Sequence, residues 1–160
     1  MNFYRQSGFL IFGSRLKRIG DMFINDVNKI YRSHNINFDA SWFPVFYLLS
    51  QKQEVSIKEI AEDLNVSHSA ISQLISSLQQ KGFIKSVVSK EDARHKVITF
   101  TAKGEKLLEK IQPVWKALQE AMDELMASAT VSRQILNALK SIEDNIQQQS
   151  IFDRIENHLK

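Results

Sequence analysis

The chain has 160 residues, of which 43% are hydrophobic and 24% charged, a globular composition of the size of one domain with appended helices. It contains no cysteine, five glycines and two prolines, which excludes disulfide staples, thiolate metal sites, a cysteine nucleophile and a collagen-like or linker-like chain. The net charge is +3, and the excess is concentrated: residues 65–104 hold six bases and two acids, whereas residues 105–160 hold seven bases and nine acids, so the middle of the chain is either the footprint of a polyanionic partner or a lysine-rich solvated surface.

Residues 1–8 (MNFYRQSG) lack the charged start and apolar core of a secretory signal. No apolar run approaches the roughly 18 residues needed to cross a bilayer. A cytoplasmic protein without a membrane partner is expected. Phe12, Leu16, Ile19, Phe23, Val27 and Ile30 recur at intervals of three and four, which predicts one helix from Phe9 to Tyr31. A second helix is expected around Trp42 to Ser50, with Ser41 as its cap. That choice puts Pro44 in the first turn, where proline is tolerated, whereas a cap at Asp39 would make it the fifth residue.

Ser56-Ile57-Lys58-Glu59 is a capping-box pattern. It opens a short helix with Ile57, Ile60, Ala61 and Leu64 inward, ended by Asn65, a residue that tolerates left-handed backbone. Ser67 caps the next helix, with Ala70, Ile71, Leu74, Ile75 and Leu78 inward and a stop at Lys81-Gly82. Phe83–Val88 and Val97–Thr101 are short strand-like runs on either side of the polar Ser89–Lys96, which reads as a hairpin with a long charged tip. Thr101 then caps a helix carrying Leu107, Leu108, Ile111, Trp115, Leu118, Met122 and Leu125, with a kink expected at Pro113. After Ala127-Ser128-Ala129-Thr130 breaks the pattern, one final helix is expected from Val131 through Ile135, Leu139, Ile142, Ile146, Ile151 and Ile155.

Two short helices joined across Asn65-Val66 and followed directly by a hairpin make a winged helix-turn-helix. In such a unit the second helix lies in the major groove with its N-terminal residues toward base edges. Its outward positions are Ser67, His68, Ser69, Ser72, Gln73, Ser76 and Ser77. Short hydroxyls let the helix approach a duplex, and Gln73 can pair with adenine through two hydrogen bonds. A merely solvated helix face carries Glu and Lys, which form helix better than serine. The serine-rich face therefore points to DNA.

The stretches SIKEIAEDLNVSHSAISQLISSLQQKGFI, KEDARHK and VITFTAKGEKLL make Val55 to Lys110 similar to the DNA-binding lobe of the multiple antibiotic resistance regulator (MarR) family. The most specific part is the wing, where Asp92, Arg94, Thr101 and Gly104 meet the family pattern. The resemblance implies that Arg94 enters the minor groove and that Asp92 holds the wing in place. His95 and Lys96 fall on the same DNA-facing wing. Asn65 stands where the family often has glycine, and His68 falls at a variable position. The flanking helices are also similar, so the likeness covers almost the whole chain.

The fold class expected is mainly α (α+β): a winged helix-turn-helix over 53–104, with a helical dimerisation lobe from both chain ends, 1–34 and 105–160. Phe3, Tyr4, Phe9, Phe152 and the Ile142 to Ile155 stripe exceed what a lone winged unit of about 60 residues could cover, and reading a palindrome requires two-fold symmetry. A homodimer on double-stranded DNA is therefore expected. Phe38, Trp42, Phe43, Phe46 and Tyr47 form an aromatic group. It reads as core or, by the resemblance, as the wall of a pocket for a small aromatic effector.

His34, His68, His95 and His158 are not spaced as metal ligands on one helix face, and neither a glycine-rich phosphate loop nor a nucleophile elbow is present. No cofactor, metal or enzymatic activity is expected. The leading reading is a transcriptional regulator, a repressor, relieved by a small ligand. The alternatives are a winged helix used as a protein-interaction module and a sensory lobe related to regulators fused to an acetyltransferase.

Overall fold

Helices account for most of the chain, and their ends set the architecture. The computed structural model describes residues 3–89, 96–129 and 132–159. Asp92, Arg94 and His95, and with them the wing tip, lie outside the described residues. The first helical stretch is divided. A short α1 (Phe3–Gln6) and a 3-10 turn (Gly8–Ile11) precede α2 (Phe12–Ser33). The tighter turn closes with Leu10 N–H donating to the Ser7 carbonyl (3.1 Å), so the α-helix starts at Phe12 rather than Phe9.

A 3-10 turn also corrects the expected cap at Ser41. Asp39 accepts hydrogen bonds from the Ser41 backbone N–H (2.8 Å) and hydroxyl (2.6 Å). It caps the turn Ala40–Trp42, and α3 (Phe43–Lys52) follows with Pro44 in its first turn. Pro44 is tolerated because the inserted turn, not the α-helix, begins at Asp39. A two-residue strand, β1 (Glu54–Val55), leads into α4 (Ile57–Asp63). Then come α5 (His68–Gln80), β2 (Ile84–Val88), β3 (Lys96–Phe100) and α6 (Ala102–Ala127).

The sheet is antiparallel with order β1-β3-β2. Ile84 pairs with Phe100, Val88 with Lys96 and Val55 with Ile98. β3 is central, which explains why Val97, Ile98 and Phe100 are all buried. One core joins Val45, Phe46 and Leu49 of α3, Ile60 of α4, Ile71, Ile75 and Leu78 of α5, and Leu107 and Ile111 of α6. Apart from Tyr31 with its hydroxyl, no polar side chain is buried among the described residues. Burial of each such aliphatic side chain contributes about 1.5–3 kcal/mol. Ala70, expected inward, is exposed, because it lies a quarter-turn off the Ile71–Ile75–Leu78 line.

Three helices end in the same way. The N–H of Ile36 donates to the Tyr31 carbonyl (2.8 Å), that of Val66 to Ala61 (3.0 Å) and that of Phe83 to Leu78 (3.1 Å). In each case the residue before the donor is left-handed: Asn35 (φ 55°), Asn65 (φ 51°) and Gly82 (φ 74°). These are Schellman ends, which supply donors to otherwise unpaired terminal carbonyls. The middle one is the turn of the helix-turn-helix.

Contacts divide the chain into two compact units, Met1–Lys116 and Ala117–Lys160, with the boundary inside α6, which continues through Pro113. The second unit holds the end of α6, a 3-10 turn (Ser132–Gln134), α7 (Ile135–Gln148) and α8 (Ile151–Leu159). The single final helix expected from the sequence is thus two. Gln149 is extended (φ −148°, ψ 119°). Ser150 accepts from the Asp153 N–H (3.0 Å) and donates to its carboxylate (2.6 Å), starting a new helix, as N-cap serines do.

At Gly104 the start of α6 presses on the chain leaving α5. A Cβ there would overlap the Phe83 carbonyl oxygen and crowd the Phe100 ring. Gly104→Ala is expected to lower stability by about 1–3 kcal/mol, the range for overpacking a tight contact, as measured by urea denaturation. At Asn65 the left-handed conformation costs a β-branched side chain more than asparagine and costs glycine least, so Asn65→Val should destabilise by about 1–2 kcal/mol. Asn65→Gly should match or exceed the parent in the same experiment.

Candidate nucleic-acid interface

α5 is amphipathic in an unusual way. Its inward line is aliphatic, and its opposite face is built from Ser69, Gln73 and Ser76, all exposed and uncharged. Ser67 is the N-cap, in extended backbone (φ −65°, ψ 142°), and its hydroxyl accepts from the Ala70 N–H (3.3 Å) and lies 3.1 Å from the Ser69 hydroxyl. His68 Nδ1 lies 3.3 Å from the half-buried Ser72 hydroxyl. The Ser76 hydroxyl donates to the Ser72 carbonyl one turn back (2.8 Å), which frees its lone pairs to face outward. Among the described residues no hydrogen bond engages the Gln73 amide, which can both donate and accept.

The structure places Ser67, His68, Ser69, Ser72, Gln73 and Ser76 on the first three turns of α5, as the spacing implied. Lys96 opens β3 at the base of the wing and is exposed. Together with His68 and Ser89 it lines a hollow of about 640 Å³, whose other wall is the start of α4, including Ser56, Lys58 and Glu59. α4 is anchored there by its capping box. The Ser56 backbone N–H donates to the Glu59 carboxylate (2.8 Å) and the Ser56 hydroxyl accepts from the Glu59 N–H (3.1 Å). The first of these bonds holds the Glu59 carboxyl below the ordinary glutamate range. Lys52 pairs with Asp63 at 2.8 Å and ties the end of α3 to the end of α4; the bonded carboxylate raises the Lys52 pKa.

The far end of α5 is held by residues of β3 and α6. The Thr101 hydroxyl donates to the Gly82 carbonyl (2.6 Å) and accepts from the Gly104 N–H (3.1 Å), while the Thr101 N–H donates to the Phe83 carbonyl (3.0 Å). The Lys103 ammonium donates to the Lys81 carbonyl (2.6 Å). Gln79 of α5 donates to the Ser86 hydroxyl of β2 (2.8 Å). The helix that presents the serine face is therefore fixed both to the wing and to α6. The sequence shows Thr101 as a cap but not its bond to Gly82 or the part played by Lys103. Their signal was the Thr-x-Lys-Gly run itself, which puts a hydroxyl, an ammonium and a missing Cβ on one helical turn.

The aromatic group does not form one wall. Phe38 and Phe46 are buried, with ring centroids 5.0 Å apart, and Phe38 also meets Tyr31 (5.0 Å) and the partly buried Trp42 (5.5 Å). Phe43 and Tyr47 are exposed instead, stacked at 5.4 Å beside Trp115. The Trp115 indole N–H donates to the Tyr31 hydroxyl (3.1 Å). Burial raises the Tyr31 phenol pKa, and this bond opposes the rise.

Among the described residues no group of acids and histidines is placed to hold a metal, and no helix is long and apolar enough to cross a membrane. Comparison with known proteins accords with this geometry. Residues 41–96 match the model of the MarR family. A helix-turn-helix-type transcriptional regulator of Bacillus cereus is 30% identical over 101 residues, 62% of this chain and 67% of that protein. The fold is that of a MarR/EmrR family regulator from Acinetobacter sp. ADP1 (TM-score 0.70, 18% identity, 93% of this chain and 100% of that one). It is also that of S. aureus MepR in complex with DNA (TM-score 0.70, 18% identity, 84% of this chain and 97% of that one). The winged helix-turn-helix, its capped recognition helix and these relatives together place the chain in the MarR family of DNA-binding transcriptional regulators.

Proposed function

We propose that the protein acts as a homodimer on a pseudo-palindromic operator, with α5 of each protomer in the major groove. The observation that carries this reading is the α5 face: an exposed row of hydroxyls and one amide on a helix whose two ends are pinned. Ser67, Ser69, Ser72 and Ser76 supply phosphate and base-edge contacts, and Gln73 reads one base. His68 and Lys96 meet phosphates at the groove edge, and the helix start favours an anion. Arg94 is assigned to the minor groove, with His95 beside it and Asp92 as wing support, on the family pattern alone.

The dimer is supported by apolar faces that one chain leaves open. Phe9 and Leu10 are 90% and 92% exposed, and Phe152 and Leu159 are 71% and 74% exposed. The only fully buried residue of α2 is Tyr31, and along its apolar stripe Leu16, Phe23 and Ile30 remain exposed, while Val27 packs on the core. Exposed apolar surface of this extent marks an association site, and two-fold symmetry matches a palindrome with half-sites about 34 Å apart. Residues 1–34 and 105–160 are the segments we assign to that interface. Occupancy of an operator blocks other proteins from the same duplex, so the proposed effect is repression. For relief by a small aromatic ligand, the members of the aromatic group open to one are Phe43 and Tyr47.

Selection from random duplexes followed by gel shift tests the reading. A two-fold consensus is expected, bound by a particle of twice the chain mass in light scattering. Gln73→Ala should relax one base position per half-site at a cost of about 1–3 kcal/mol against the preferred base. An unchanged consensus and affinity would remove Gln73 as a reader.

A further inference from the structure

A concavity of about 470 Å³ lies between the turn that follows α2 and the first turns of α6. Asn35 stands on one side, Lys103, Lys106 and Lys110 on the other, and Phe83 and Leu107, both buried, face it from the core. The three lysines follow at intervals of three and four, so they share one face of α6. Four helix lysines elsewhere meet an acid about one turn away: Lys17 with Asp21, Lys29 with Asp26, Lys58 with Glu62 and Lys140 with Asp144. Among the described residues none of Lys103, Lys106 and Lys110 is in an ion pair, although Glu105 and Glu109 are on the same helix. The stripe is thus a cluster of three positive charges outside any ion pair among the described residues, around an opening with an apolar back.

We propose that this concavity binds a small phosphate monoester with an apolar body, and that its occupancy loosens the end of the recognition helix. A phosphate monoester carries about −1.5 to −2 charge at pH 7 and three strong acceptor oxygens, a better match to three ammonium groups than a single carboxylate charge. Lysine binds phosphate as a point charge from a flexible stem, which suits an open site. Phe83 and Leu107 offer apolar contact to the body, and the Asn35 amide can donate to an oxygen.

The coupling runs through Lys103. Its ammonium donates to the Lys81 carbonyl (2.6 Å) and lies over the Phe83 ring, 4.8 Å from the centroid. Lys81 is the C-cap residue of α5, and its carbonyl has no intrahelical partner to fall back on. An anion in the concavity competes for that ammonium and leaves the carbonyl without it. By linkage, the ligand weakens operator binding and the operator weakens ligand binding by the same factor. This regulatory half rests on the operator reading, whereas the binding half does not.

The test uses the full chain with phenyl phosphate as the probe, at constant ionic strength, with phenol and benzoate as comparison compounds. Calorimetry should show saturable binding of phenyl phosphate, tighter than either comparison compound. The exposed pair Lys106→Ala/Lys110→Ala should weaken it by at least about tenfold, the loss of one or two charge-assisted contacts, with an unchanged circular dichroism melting curve. In gel shifts, saturating phenyl phosphate should reduce operator affinity of the parent by about fivefold or more and leave that of the double variant unchanged. Equal binding of phenyl phosphate by parent and double variant would overturn the site. Equal inhibition of their operator binding would overturn the coupling. A double variant that binds operator more weakly, with a flatter salt dependence and no phenyl phosphate present, would assign the lysines to DNA phosphates and overturn the small-molecule proposal. A chain that takes phenyl phosphate at this site but binds no operator would support the site and overturn the coupling together with the operator reading.

Discussion

Three backbone carbonyls at the end of α5 hold the first unit together. Those of Lys81, Gly82 and Phe83 point out of the helix end, where the α-helical pattern offers them nothing. Lys103, the Thr101 hydroxyl and the Thr101 backbone N–H receive them at 2.6, 2.6 and 3.0 Å. All three donors lie on residues 101–103, where the central strand becomes α6. One short run therefore fixes the serine-bearing helix to both the wing and the long helix. Gly104 makes this possible, because any side chain there would occupy the place of the Phe83 carbonyl.

The other end of α5 depends on a related device. Asn65 takes a left-handed conformation (φ 51°) that lets Val66 bond back to Ala61 and aims the chain at Ser67, the cap of α5. The angle between α4 and α5 is thus set by one residue, and the depth of α5 against the core by Ile71, Ile75 and Leu78. What remains outward is short and polar. A helix held at both ends, against an aliphatic and aromatic core, can present hydroxyls and an amide to a duplex without first being ordered, which is the physical meaning of a preorganised site.

The elements with strong local signals were legible in the sequence. The Ser56–Glu59 capping box, the Asn65 turn, the Ser67 cap and the Gly82 stop each follow from the chemistry of a single helix end, and each lies where the spacing puts it. The hairpin strands were legible from their β-branched residues. β1 was not, because two residues carry no periodicity and Glu54-Val55 pairs only through tertiary contact with β3. The Asp39 cap is hidden by the 3-10 turn that intervenes, whereas the break at Gln149 has a signal in the interval of five between Ile146 and Ile151, which departs from the three-and-four spacing before it. For the site, the serine face could be read from periodicity. The link from Lys103 to Lys81 could not, since it joins residues 22 apart whose proximity exists only after the sheet has formed.

On the proposed reading, the grip of residues 101–103 on the end of α5 presents the recognition helix to DNA. Thr101→Val tests it most directly, since it keeps the volume and removes only the hydroxyl that bridges Gly82 and Gly104. Amide hydrogen exchange and operator affinity should be measured together. Faster exchange is expected at Gly104 and in the last turn of α5, with weaker operator binding, while exchange in α7 and α8 stays as it was. Unchanged exchange in the last turn of α5, together with parental affinity for the operator, would contradict it.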